Sequence, residues 1–157
     1  MDLTTDWEYV ADGVMGGLSR GEMRRETWQG RAATVLSGDV SLENNGGFVQ
    51  IATNLRSDGA AFDASGWSGL EIELCGNGER YDIRLRTDQL TRPWQSFRRE
   101  VTATREWRSL RLPFDSFESH KTDTTFDPAQ LRRIGVLAIG RVVRADVAVA
   151  RMALYRA

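Results

Sequence analysis

The sequence predicts an all-β fold, a sandwich or barrel of short antiparallel strands, on three observations. Apolar and polar residues alternate with period two, most clearly in Tyr81-Asp82-Ile83-Arg84-Leu85-Arg86, where Tyr81, Ile83 and Leu85 share one face and charges take the other. Gly, Asp, Asn or Pro separates most of the alternating segments, as turns between strands require. The one helix-like stretch is too short to cover a parallel sheet.

Along the chain, strands are expected at 33–36 and 48–52. Leu70-Glu71-Ile72-Glu73-Leu74 repeats the alternation, followed by 81–86 and 96–101. Leu110-Arg111-Leu112 alternates until Pro113, which lacks the N–H that a ladder needs. At 128–133 a turn or two of helix is expected, with Asp127 as N-cap and Pro128 at the first helical position. Ile134-Gly135-Val136-Leu137-Ala138-Ile139-Gly140 is apolar on both faces, as for a central strand covered on each side; its β-branched content favours strand, although periodicity leaves a short buried helix open. A last strand falls at 147–155. No repeat, low-complexity stretch or composition break divides the chain, so residues 1–157 read as one domain, of a size that buries about 68–70% of its unfolded surface.

Composition narrows the function classes. Hydrophobic residues make up 41% and charged residues 27%, ordinary globular usage. No apolar run approaches the roughly 20 residues of a membrane-spanning helix, and the N-terminal segment is acidic where a signal peptide is basic, so a cytoplasmic protein without membrane insertion is expected. A net charge of −1 argues against nucleic acid as partner. With Cys75 the only cysteine and His120 the only histidine, disulfides and Cys/His zinc sites are excluded and histidine-based triads are strongly restricted. Cys75 reads as a strand-end thiol of no special reactivity, and His120 as a solvated residue of a polar loop.

Two glycine-punctuated segments stand out: Asp12-Gly13-Val14-Met15-Gly16-Gly17-Leu18-Ser19-Arg20-Gly21 and Ser41-Leu42-Glu43-Asn44-Asn45-Gly46-Gly47-Phe48. In the first, Gly13, Gly16, Gly17 and Gly21 suit positive-φ turns, with Asp12 and Ser19 bonding nearby amides. It lacks the Gly-Lys-Ser/Thr ending, the GxGxxG spacing and the following helix of a phosphate loop. In the second, Asn and Gly supply left-handed conformations for a turn into a strand. Alternatively, Glu43, Asn44 and Asn45 project polar groups from one end of the fold toward a sugar, cation or partner backbone.

These segments, with Trp7, Trp107, Leu112-Pro113-Phe114 and Phe117, resemble the complex I intermediate-associated protein 30 family over nearly the whole chain. The resemblance implies a jelly-roll β-sandwich of the galactose-binding-domain type, in which the early loops come together. It further implies a non-catalytic module that binds a protein partner, such as a subunit or assembly intermediate of respiratory complex I (NADH:ubiquinone oxidoreductase), as an assembly factor or chaperone does. On this resemblance the partner-binding residues are Asp12, Gly13, Met15, Gly16, Gly17, Ser19, Glu43, Asn44, Asn45, Gly46, Gly47 and Phe48.

The alternative is a carbohydrate-binding module. Arg84, Arg86, Trp94 and Gln95 would line a concave surface, since aromatic rings stack on sugars and arginine offers planar donors. Against it stands a solvated sheet face on which these arginines pair with Glu71 and Glu73. Trp7, Trp28, Trp67 and Trp107 read as core or rim packing. No pair of the 22 acids stands in a recognisable catalytic motif, and Asp63, Asp123 and Asp127 look like turn residues. Neither catalysis, a metal nor a cofactor is expected, although jelly-rolls often hold structural calcium on loop oxygens.

Overall fold

A computed structural model describes residues 1–157, apart from the side chains of Val14 and Asn45. Eleven strands build two antiparallel sheets: β1 (Glu8–Ala11), β2 (Arg20–Trp28), β3 (Arg31–Val40), β4 (Phe48–Asn54), β5 (Gly69–Gly76), β6 (Arg80–Thr87), β7 (Ser96–Thr102), β8 (Arg108–Pro113), β9 (Glu118–His120), β10 (Leu131–Ile139) and β11 (Val143–Tyr155). One sheet runs β1-β4-β10-β6-β7-β9 and the other β2-β3-β11-β5-β8.

The period-two pattern decides what lies between the sheets. Tyr81, Ile83 and Leu85 of β6 meet Leu70, Ile72 and Leu74 of β5, Leu36 of β3 and Val147 and Val149 of β11 in a continuous core with Trp7. Tyr81 also ties the sheets by hydrogen bonds, its hydroxyl donating to Asn77 Oδ1 at 2.7 Å and accepting from the Asp146 amide at 2.9 Å. Burial, ahead of the nearby acids, pushes its pKa up to about 12. Asp127 caps a 3-10 turn at Pro128–Gln130, where its carboxylate accepts the Ala129 amide at 3.0 Å.

Several elements differ from the sequence reading. The turn of helix expected over 128–133 ends at Gln130, and Leu131 already opens strand β10. The chain leaves one sheet after β5 and enters the other at β6, so Glu71 and Glu73 lie on the five-stranded sheet. There they pair with Arg31, Arg111 and Arg151, leaving Arg84 and Arg86 to find other partners. β10 is central but its second face has no further layer over it; Leu137 and Gln50 fold across Gly135 instead. His120 ends strand β9 opposite Ser96 and is half-buried rather than solvated. Trp28 and Trp107 cover a small patch of Ala33, Val35 and Ala148 on the outside of the five-stranded sheet.

Candidate functional site

The two glycine-rich segments are one structure, and Asp12 joins them. Its carboxylate, fully closed from solvent, accepts four hydrogen bonds: from the Ser19 amide at 3.0 Å, the Ser19 hydroxyl at 2.5 Å, the Gly47 amide at 2.6 Å and the Phe48 amide at 3.2 Å. Burial alone would raise its pKa, but these donors to the charged form outweigh it and hold the carboxyl below its ordinary value. Ser19 extends the junction, its hydroxyl receiving the Ser41 amide at 2.8 Å.

The glycines make room for that carboxylate. A Cβ on Gly17 would come 2.4 Å from the Asp12 side chain, and one on Gly46 would come 2.6 Å from Asp12 Oδ2. Gly16 has φ 86° after the 3-10 turn at Asp12–Met15, and Gly47 has φ 145°. Among the four glycines read as positive-φ turns, only Gly16 has that conformation; Gly21 is required by its approach to Ser37 O across the ladder, and Gly13 faces open space. Asn44 adopts the left-handed conformation expected of the second segment, with φ 55°.

Around this buried staple three large apolar side chains stand exposed among polar neighbours. Met15 is 59% exposed, Leu18 47% and Leu42 48%. Leu18 and Leu42 each lie one residue from the Ser19–Ser41 contact, Leu18 just before Ser19 and Leu42 just after Ser41. The turn carrying exposed Val142 joins the same end, because the Gly140 amide donates to Gly47 O at 2.9 Å. An open groove of about 580 Å³ between Tyr9, Ala11, Gly13 and Arg20 adjoins it. Glu43 and Asn44 are exposed beside Leu42, whereas the Asn45 side chain lies outside the described residues.

Arg84, Arg86, Trp94 and Gln95 belong to the outer face of the six-stranded sheet. There Asp82 is buried beneath two arginines: Arg98 grips it through Nε at 2.9 Å and Nη2 at 2.8 Å, and Arg84 through Nη2 at 2.9 Å. Burial pushes the Asp82 pKa up, but bonds from Arg98 and then Arg84 lower it on balance. Arg86 reaches the 88–95 loop, where its Nη1 donates to the carbonyls of Arg92, Pro93 and Gln95. Gln95 closes that loop, its Oε1 accepting the amides of Thr91 and Arg92. Arg86 and Gln95 therefore hold the loop on which Trp94 stands 56% exposed. Sequence reading missed Asp82, Ser96, Arg98 and His120 on this face; the odd-even alternation that placed Arg84 outward also placed Asp82 outward.

Among the described residues no group of three His, Cys, Asp or Glu is arranged to hold a metal ion. Nor, among the described residues, is any helix long and apolar enough to cross a membrane.

The family model of complex I intermediate-associated protein 30 matches residues 1–148. No curated protein matches the chain in sequence. Among solved structures, the chain is similar to the family 11 carbohydrate-binding module from Clostridium thermocellum in complex with a β-1,3-1,4-mixed-linked tetrasaccharide, with 14% identity, TM-score 0.75, and 96% of this chain and 89% of that one covered. It is also similar to the family 30 carbohydrate-binding module of the cellulosomal cellulase Cel9D-Cel44B of the same organism, with 16% identity, TM-score 0.70, and coverage of 98% and 94%. At such identity the likeness establishes the β-sandwich fold.

Proposed function

The chain belongs to the complex I intermediate-associated protein 30 family, and from that membership we propose that it is a non-catalytic protein-interaction module acting in the assembly of respiratory complex I. The observation that carries the reading is the apolar rim of Met15, Leu18 and Leu42 around the junction of the two family motifs. Exposed large apolar side chains gathered at one place favour a protein contact. Asp12, Gly17 and Gly46 build the rim from beneath, and Met15, Leu18, Leu42 and Glu43 meet the partner.

Affinity purification from the native host tests this, comparing wild type with a Met15→Asp/Leu18→Asp variant. Respiratory-complex subunits enriched with the wild type and lost with a variant of unchanged thermal unfolding support the reading. Equal enrichment, or none with either protein, overturns it.

A second reading, a carbohydrate-binding module, is favoured by Trp94, a solvent-facing aromatic on a loop braced by Arg86 and Gln95. The family 11 module of the same fold was solved with a tetrasaccharide. Calorimetry against a panel of oligosaccharides tests it: heat of binding that disappears with Trp94→Ala supports it, and silence at millimolar sugar overturns it.

A further inference from the structure

We infer that the outer face of the six-stranded sheet binds a sugar acid, a uronate-bearing oligosaccharide whose carboxylate lies against Arg86 and Arg84 beside Trp94. The inference rests on the carbohydrate reading and adds to it the ligand's charge and the residues that receive it.

The register between strands lays out the floor. Arg84 of β6 stands opposite Arg98 of β7, and the next outward positions are Arg86 and Ser96, which flank the Leu85–Phe97 pair. Ser96 in turn stands opposite His120 of β9, and Arg133 of β10 stands opposite Arg86. One row thus reads Arg133, Arg86, Ser96, His120, with Arg84 and Arg98 in the row beside it. The acids nearby are engaged: Asp82 by Arg84 and Arg98, and Glu8 by Arg133.

Two observations point to an anion-binding site. Among the described residues Arg86 forms no ion pair and its Nε and Nη2 make no hydrogen bond, while its Nη1 is held by three carbonyls. Burial, then the charges of Arg132 and Arg133, lower its pKa, the signature of a cation without a counter-charge. Ser96 supplies the second: it is 3% exposed, lies on this face between Arg86 and His120, and its Oγ has no hydrogen-bond partner among the described residues. An unpaired buried hydroxyl is costly, and a ligand oxygen entering between Arg86 and His120 would pair it. Burial, then Arg84, Lys121 and Arg98, lower the His120 pKa, so at neutral pH its imidazole offers a neutral donor and acceptor.

The class of ligand follows. A planar guanidinium edge takes a carboxylate through two parallel N–H bonds. A serine hydroxyl and a neutral imidazole take sugar hydroxyls, and the braced indole offers a flat apolar surface for a ring. A uronate unites those three features in one ring, whereas an acidic peptide has no use for the indole and the hydroxyl together.

The test is calorimetry with a galacturonate trisaccharide, its methyl ester and a glutamate pentapeptide, on wild type and Ser96→Ala. Removing an unpaired hydroxyl leaves folding intact, so that variant reports on the ligand alone. The expected result is binding of the acid, weakening by about tenfold or more for the ester, the worth of one charge-assisted contact, and weaker binding by Ser96→Ala. Ester and acid binding alike would overturn this inference and keep the carbohydrate reading. Silence with both sugars would overturn both, and binding of the peptide alone would reassign the face to an acidic protein segment. Acid binding unchanged in Ser96→Ala would also contradict the site as drawn.

Discussion

The carboxylate of Asp12 accepts the amide of Gly47 at 2.6 Å, across 35 positions of sequence. That single bond, with those from Ser19 and Phe48, makes two separate motifs one buried feature. A carboxylate with four donors is strongly held, and a donor left behind in its absence is strongly penalised. Asp12→Ala is therefore expected to lower unfolding stability by about 3 kcal/mol or more, the cost of orphaning several buried donors. Asp12→Asn keeps the shape but sets its NH₂ against N–H donors, and should cost about 2 kcal/mol. Urea denaturation measures both.

The same carboxylate makes stability depend on acid. Its folded pKa lies below the ordinary 3.8, so the unfolded chain takes up the proton first as pH falls. The stabilisation is complete above 3.8 and is lost as pH drops through the folded value. Urea midpoints of Asp12→Asn should therefore change less between about pH 5 and pH 3 than those of wild type. Asp82, lowered by Arg98 and Arg84, adds a slope that both proteins share.

Neighbouring glycines should respond very differently to an added side chain. Gly17→Ala forces a Cβ to within 2.4 Å of the Asp12 side chain and is expected to cost about 2 kcal/mol. Gly16→Val places a β-branched residue at φ 86° and should cost more than about 1 kcal/mol. Gly13→Ala meets no atom within 4 Å and should fall within about 0.5 kcal/mol of wild type. Thermal unfolding of the three variants side by side separates close approach from backbone strain.

Much of this was legible in the sequence, and the failures have physical causes. Alternation in 70–74 and 81–86 gave the strands and the face that Tyr81, Ile83 and Leu85 bury. The bonding of Asp12 and Ser19 to nearby amides followed from short polar side chains beside glycines. Strand β2 was not read, because Arg-Gly-Glu-Met-Arg-Arg-Glu-Thr-Trp lies at a sheet edge and its polar residues satisfy each other on the surface, as Arg24 does with Glu22 and Glu26. Arg84 was matched to the wrong acids because alternation tells which way a side chain points and not which sheet holds its strand. Arg86 was read as a ligand-facing donor, yet much of its bonding capacity braces a loop 6 to 9 residues away, a tertiary contact with no sequence signal.

Tyr81 joins the two sheets through its hydroxyl as well as its buried ring. Tyr81→Phe leaves the Asp146 amide without its acceptor and should cost about 1–2 kcal/mol. With a folded pKa near 12 against 10.0 unfolded, the tyrosine contributes stability that is full below pH 10.0 and lost as pH rises toward 12. Alkaline unfolding followed by circular dichroism should be less steep for the phenylalanine variant.

Amide hydrogen exchange by NMR tests the union of the two motifs most directly. In wild type the amides of Ser19, Gly47 and Phe48, three donors to the Asp12 carboxylate, should exchange slowly together. In a folded Asp12→Asn variant all three should lose protection while the β6 amides keep theirs. Fast exchange at Gly47 and Phe48 in wild type, or protection unchanged in the variant, would contradict the Asp12 staple on which the proposed contact surface is built.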